Sequence, residues 1–99
     1  MKTSLQLIRQ FIDSRRRNYP MSIAKFMHNK LLELGFTEDQ DDHHPKYFVG
    51  DLWVILSPAP NVMRVERRIK LHHSELYACH IPQNESEFGI VWEEIKKLL

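Results

Sequence analysis

Hydrophobic residues recur every three or four positions in three stretches of the chain, a spacing that predicts amphipathic helices. The first helix is expected to begin at Thr3 or Ser4, the second near Ser22, and the third after an Asn84 cap. Gly35 is placed to end the second helix. The buried stripes are expected to be Leu5, Ile8, Phe11 and Ile12; Ile23, Phe26, Met27, Leu31 and Leu34; and Phe88, Val91, Trp92, Ile95 and Leu98 or Leu99.

Between the second and third helices, the pattern changes to one that is typical of β-strands. Two apolar runs, 47–49 and 52–55, flank Gly50-Asp51, which predicts a tight hairpin with a type II′ turn. This hairpin would place Phe48 opposite Trp53. Both of its faces are apolar, so we expect both to be covered, one by helices and the other by a partner chain.

A third strand is expected after Pro60, because apolar and charged residues alternate from Met63 to His72. With a turn at His73-Ser74, the fourth strand would run from Leu76 to Ile81 and would place Arg67 opposite His80. The sequence therefore predicts a single α+β domain over residues 1–99, with the order α-α-β-β-β-β-α and a four-stranded antiparallel meander.

Composition argues against a membrane-spanning protein and against one that is stabilised by disulfides. The longest apolar run is Leu52–Leu56, far short of the roughly 20 residues of a transmembrane helix, so we expect no membrane span. Cys79 is the single cysteine, so no intrachain disulfide forms and a cytoplasmic location is favoured. Cys79 and the adjacent His80 would point to opposite faces of a strand, which argues against a nucleophilic pair.

Charge is balanced overall at +1 but unevenly distributed, with seven cations and one anion in residues 1–30. Near neutrality argues against a general polyanion binder. Local basic surface is still expected, and a phosphate-contacting face would be formed by Arg15, Arg16, Arg17, Arg64, Arg68 and Lys70. The acidic stretch from Asp39 to His44 has no defined metal-site spacing, and we expect a solvated loop there. No cofactor motif or small-molecule site is evident.

Two functions are compatible with these patterns. We favour a non-catalytic binding module that contacts a protein partner, or a second copy of itself, through Tyr47, Trp53 and Ile55 of the hairpin. The alternative is an enzyme. The order of helices and strands resembles that of RelE-like mRNA interferase toxins. This resemblance implies a small ribonuclease that uses acid–base chemistry, with His80, Arg67, His72 and Lys70 as the candidate catalytic residues.

Overall fold

The computed structural model describes residues 19–39, 44–57 and 61–99, which form an antiparallel sheet with two helices on one face. The predicted α+β class and antiparallel meander are confirmed, but the sheet has five strands instead of four. The first predicted helix, with Arg15, Arg16 and Arg17, lies outside the described residues. The elements in chain order are α1 (Met21–Glu33), β1 (Thr37–Asp39), β2 (Lys46–Val49), β3 (Leu52–Ser57), β4 (Val62–Ile69), β5 (His72–His80) and α2 (Glu85–Leu98).

Strand β1 is the element that the sequence did not predict. It lies at the sheet edge, where Thr37, Glu38 and Asp39 pair with Phe48, Tyr47 and Lys46 of β2. Its side chains are polar, and none of them is fully buried. An edge strand of this kind is held by backbone hydrogen bonds, so it leaves no hydrophobic alternation to detect.

Two of the helix ends that the sequence marked, at Gly35 and at Asn84, are confirmed. Gly35 has φ +96, and its N–H donates to the carbonyl of Leu32, while the N–H of Phe36 donates to the carbonyl of Leu31. These two bonds form the Schellman motif that ends α1. At the start of α2, the Asn84 side chain accepts a hydrogen bond from the Glu87 N–H at 2.9 Å.

The β2–β3 hairpin also has the predicted register. Phe48 lies opposite Trp53 and Tyr47 opposite Val54. Gly50 occupies the first turn position with φ +58, a conformation that the type II′ turn requires there and that residues with a Cβ rarely adopt.

The predicted register of β4 against β5 is wrong. The turn is at Lys70-Leu71, so Ile69 pairs with His72 and Arg67 pairs with Ser74. Farther along, Leu76 is an extra residue in a β-bulge, and Val65 pairs with Tyr77. Burial explains this register, because it places Tyr77 and Cys79 on the same face as the fully buried Met63 and Val65.

The hydrophobic core lies between the helices and one face of the sheet. Ile23, Met27 and Leu31 of α1 and Phe88, Val91 and Ile95 of α2 pack against this face. The two helices meet where the Phe26 ring makes an edge contact with the Phe88 ring, at a centroid distance of 5.7 Å. The inward side chains of the central strands are Leu52, Val54, Leu56, Met63 and Val65.

The observed turn predicts the effect of a glycine at position 70. Lys70 has φ +57, which is costly for a residue with a Cβ. We expect Lys70→Gly to raise the free energy of unfolding by up to about 1 kcal/mol, measured by urea denaturation. A turn at His73-Ser74 would instead place Lys70 inside a strand, where glycine lowers stability. A loss of about 0.5–1 kcal/mol would therefore contradict the observed turn.

Candidate functional site

An aromatic stack lies on the sheet face opposite the helices. Phe48 of β2 and Trp53 of β3 are stacked with ring centroids 4.8 Å apart, and the Arg68 guanidinium lies 4.7 Å from the centroid of the Trp53 ring. Phe48 and Trp53 point outward because their neighbours on the same strands, Tyr47 and Val54, are buried in the core. Arg68 lies on the same face, because it is two residues from Glu66, which pairs with Trp53. We call the group Phe48, Trp53, Glu66 and Arg68 the aromatic face.

The carboxylate of Glu66 fixes the position of Arg68 on this face. Arg68 Nε donates to Glu66 Oε2 at 3.0 Å, and the two side chains are only 22% and 12% exposed. His73 of β5 lies on the other side, with its Nδ1 4.0 Å from the same oxygen. The partly buried ion pair therefore holds the guanidinium group over the indole ring.

The three residues predicted as a protein interface have different positions in the fold. Tyr47 is 4% exposed and belongs to the core, and Ile55 is 2% exposed. Trp53 is partly exposed and lies on the aromatic face. The expectation that Tyr47 and Ile55 offer surface to a partner is thus wrong, because the folded chain buries both.

The described residues of the predicted phosphate-contacting set lie on β4 and in the turn that follows it. Arg64 and Arg68 point to the outer face of the sheet, whereas Lys70 lies in the β4–β5 turn. Strand pairing places three cations and three anions on this outer face, so the described part of it has no excess positive charge. The six residues are Lys46, Arg64, Arg68, Asp39, Glu66 and Glu75. Nucleic-acid contact stays a prediction.

The candidate catalytic residues are not brought together as the sequence predicted. Arg67 pairs with Ser74 and His80 pairs with Val62, so these two residues lie near opposite ends of the β4–β5 hairpin. Arg67 Nε instead lies 3.6 Å from Asp51 Oδ1. His72 and Lys70 are at the hairpin turn, distant along the strands from His80. The ribonuclease activity itself stays a prediction.

Cys79 and His80 point to opposite faces, as expected of neighbours on a strand. Cys79 packs against the core, while His80 is exposed. Burial raises the pKa of the Cys79 thiol, and a hydrogen bond with Tyr77 opposes this effect. A thiol that stays protonated at neutral pH is a poor nucleophile.

Of the acidic stretch, the structure describes Asp39, which pairs with Lys46 in the sheet, and His44. Asp41, Asp42 and His43 lie outside the described residues. Among the residues that are described, no three His, Cys, Asp or Glu side chains are grouped as a metal site would require.

A cleft of about 290 Å³ opens between α1 and the β1–β2 edge of the sheet. Its polar groups come from both sides: Lys25, His28 and Asn29 project from consecutive turns of α1, and Glu38 projects from β1. We call it the His28 cleft. Its lining residues are Tyr19, Ala24, Lys25, His28, Asn29, Glu38, Pro45, Tyr47 and Leu56.

His28 is the centre of the polar contacts in this cleft. Its Nδ1 lies 2.9 Å from the Tyr47 hydroxyl and 3.7 Å from Glu38 Oε2. Burial, reinforced by the negative charge of Glu38, raises the pKa of Tyr47, so the phenol stays protonated. When Tyr47 donates this proton to Nδ1, the ring's Nε2–H is left as the donor of His28.

Sequence reasoning missed the His28 cleft because its residues are separated along the chain and carry no motif. Three of them lie on α1 outside the hydrophobic stripe, and Glu38 lies in the strand that was not predicted. The spacing of Lys25, His28 and Asn29 was the available signal, since residues three and four apart share one side of a helix.

Comparisons with protein-family models, with curated proteins and with solved structures found no match. No relative therefore suggests a function for this chain. Among the described residues, no helix combines the length and the apolar character needed to cross a membrane.

The protonated state of Tyr47 predicts a pH dependence of stability. Because the folded state raises the pKa of Tyr47, its contribution is complete below the ordinary tyrosine pKa of about 10 and is lost as the pH rises above that value. We expect urea denaturation from neutral pH to about pH 11 to show this loss in the wild type, and a smaller loss in Tyr47→Phe.

Tyr77→Phe is the matched control for this experiment. The pKa of Tyr77 is also raised by burial, but its side chain is more exposed than that of Tyr47. We therefore expect Tyr77→Phe to keep most of the alkaline loss. An equal effect of the two variants would show that the buried phenol of Tyr47 is not its source.

Proposed function

We propose that the protein is a non-catalytic binding module that holds a protein partner on its aromatic face. The observation that carries this proposal is the Phe48–Trp53 stack with Arg68 packed on the indole ring. Both described helices pack on the opposite face of the sheet. The partner would offer an apolar or aromatic surface with a polar rim.

The residue types of this face support protein contact. Tryptophan, other aromatic residues and arginine supply a large share of the binding energy in protein interfaces. Trp53 and Phe48 are partly exposed, so each retains surface that a partner can bury. The flanking carboxylate of Glu66 can accept hydrogen bonds at the edge of that contact.

The fixed geometry of the face also favours binding. Phe48 and Trp53 are held on paired strands, and Arg68 is restrained by the 3.0 Å bond to Glu66. Side chains that are ordered before binding lose less conformational entropy when a partner docks. This module would therefore bind with little rearrangement.

Charge distinguishes a protein from a nucleic acid as the partner. Arg68 is already paired with Glu66, and Glu75 lies opposite Glu66 on the neighbouring strand. A face whose charges balance attracts a polyphosphate weakly. A protein surface with mixed charges suits it better.

Photo-crosslinking tests this proposal. We would place p-benzoylphenylalanine at position 48, where an aromatic side chain already stands, and irradiate the protein in an extract of its native cells. The control position is 90, because Ile90 is 70% exposed on α2. We expect a discrete adduct at position 48 and none at position 90. The adduct should be degraded by protease and resist nuclease, and its mass will distinguish another protein from a second copy.

A competition experiment with unlabelled protein tests whether the adduct forms through the aromatic face. Excess unlabelled wild-type protein should abolish the adduct. The Trp53→Leu variant, verified as folded by circular dichroism, should compete at least about tenfold less well, because it truncates an anchor of the interface. Equal competition by the two proteins would contradict the proposal. A nuclease-sensitive adduct would replace the protein partner with a nucleic acid.

A further inference from the structure

The His28 cleft is separate from the aromatic face. Tyr47, which lines the cleft, and Phe48, which belongs to the aromatic face, are neighbours on β2, so their side chains point to opposite faces of the sheet. The cleft contains the imidazole of His28, with the neutral phenol of Tyr47 at 2.9 Å and the carboxylate of Glu38 at 3.7 Å from its Nδ1. It also contains an ammonium group from Lys25 and an amide from Asn29.

Several of these groups retain binding capacity. Glu38 has no lysine or arginine as an ion-pair partner in the described part of the chain, and its contact with His28 is a 3.7 Å approach. Lys25 and Asn29, both exposed, make no side-chain hydrogen bond or ion pair within residues 19–39, 44–57 and 61–99. The cleft therefore presents both a carboxylate and an ammonium to a ligand.

We propose that the His28 cleft binds a small molecule that carries both an ammonium and a carboxylate group, that is, a free α-amino acid. Glu38 would accept hydrogen bonds from the ligand's ammonium group. Lys25 and Asn29 would donate to its carboxylate. Charged hydrogen bonds of this kind are stronger than those between neutral groups.

Size and wall chemistry support this ligand class. A volume of about 290 Å³ is at the lower end of ligand pockets, which suits a molecule as small as an amino acid. The aromatic rings of Tyr19 and Tyr47 line the cleft that also holds Glu38, and aromatic rings attract cations. Ala24, Pro45 and Leu56 add apolar surface for the ligand's side chain.

The contact with Tyr47 restricts the orientation of the His28 ring in the cleft. Because Tyr47 holds Nδ1 of His28, the ring cannot turn freely to meet a ligand. Its Nε2–H would serve as a fixed donor, in addition to those of Lys25 and Asn29, for the carboxylate oxygens.

Nuclear magnetic resonance of the intact protein tests the proposal. The probes are the twenty standard L-amino acids, titrated one at a time into ¹⁵N-labelled protein. We expect at least one of them to cause saturable shifts at the amides of Lys25, His28 and Glu38. Its decarboxylated and N-acetylated analogues should each bind at least about tenfold more weakly, since each loses one charged contact.

Substitutions of Glu38 and Lys25 test which side chain contacts the ammonium group of the ligand and which contacts its carboxylate. Glu38→Gln should weaken binding about tenfold or more by removing the charge while keeping the shape. Glu33→Gln is the control, because Glu33 is on α1 outside the cleft and pairs with Lys30. Lys25→Gln should weaken binding of the amino acid but not of its decarboxylated analogue.

The possible results separate this site from the proposed function. Absence of saturable shifts with all twenty amino acids would overturn the proposal, as would equal affinity of Glu38→Gln and the wild type. Trp53→Leu should bind the amino acid as the wild type does. The photo-adduct at position 48 should persist in Glu38→Gln, so either proposal can fail without the other.

Discussion

The burial of one face of β3 against the helices determines where the other side chains of the sheet point. Val54 and Leu56 are buried against the helices, and strand alternation then directs Trp53 to the opposite face. Strand pairing extends this choice to the neighbours: Val54 aligns Tyr47 and Val65 inward, and Trp53 aligns Phe48 and Glu66 outward. A slip of one residue would exchange the two faces and remove both candidate sites.

The sequence predicted those parts of the fold in which the local signal and the burial agree. For the β2–β3 hairpin, Gly50-Asp51 specified the turn and the apolar runs specified the strands, so the register was correct. For β4–β5, the turn at Lys70-Leu71 has no glycine, although Lys70 has φ +57. The register there is set by burial of Tyr77 and Cys79 and by the bulge at Leu76, and neither feature can be derived from alternation alone.

The candidate sites were predictable only in part, for a related reason. Trp53 was identified because a large aromatic residue on a doubly apolar hairpin needs cover. Tyr47 and Ile55 shared that signal, yet they are buried, because an apolar strand does not reveal which layer covers each face. The polar groups of the His28 cleft are brought together by the packing of α1 beside β1, and a pairing between distant segments has no local signature.

The two surfaces differ in what holds them, and this difference bears on how each can bind. Phe48, Trp53 and Arg68 are fixed on three strands joined by backbone hydrogen bonds, so the aromatic face cannot change shape without breaking strand pairs. The His28 cleft has one wall on the sheet and the other on α1. These two walls are joined by the 2.9 Å contact between His28 Nδ1 and the Tyr47 hydroxyl, and α1 is held on the sheet by its buried side chains Ile23, Met27 and Leu31. The aromatic face is therefore held by strand pairing, whereas the shape of the cleft depends on side-chain packing and on one polar contact between α1 and the sheet.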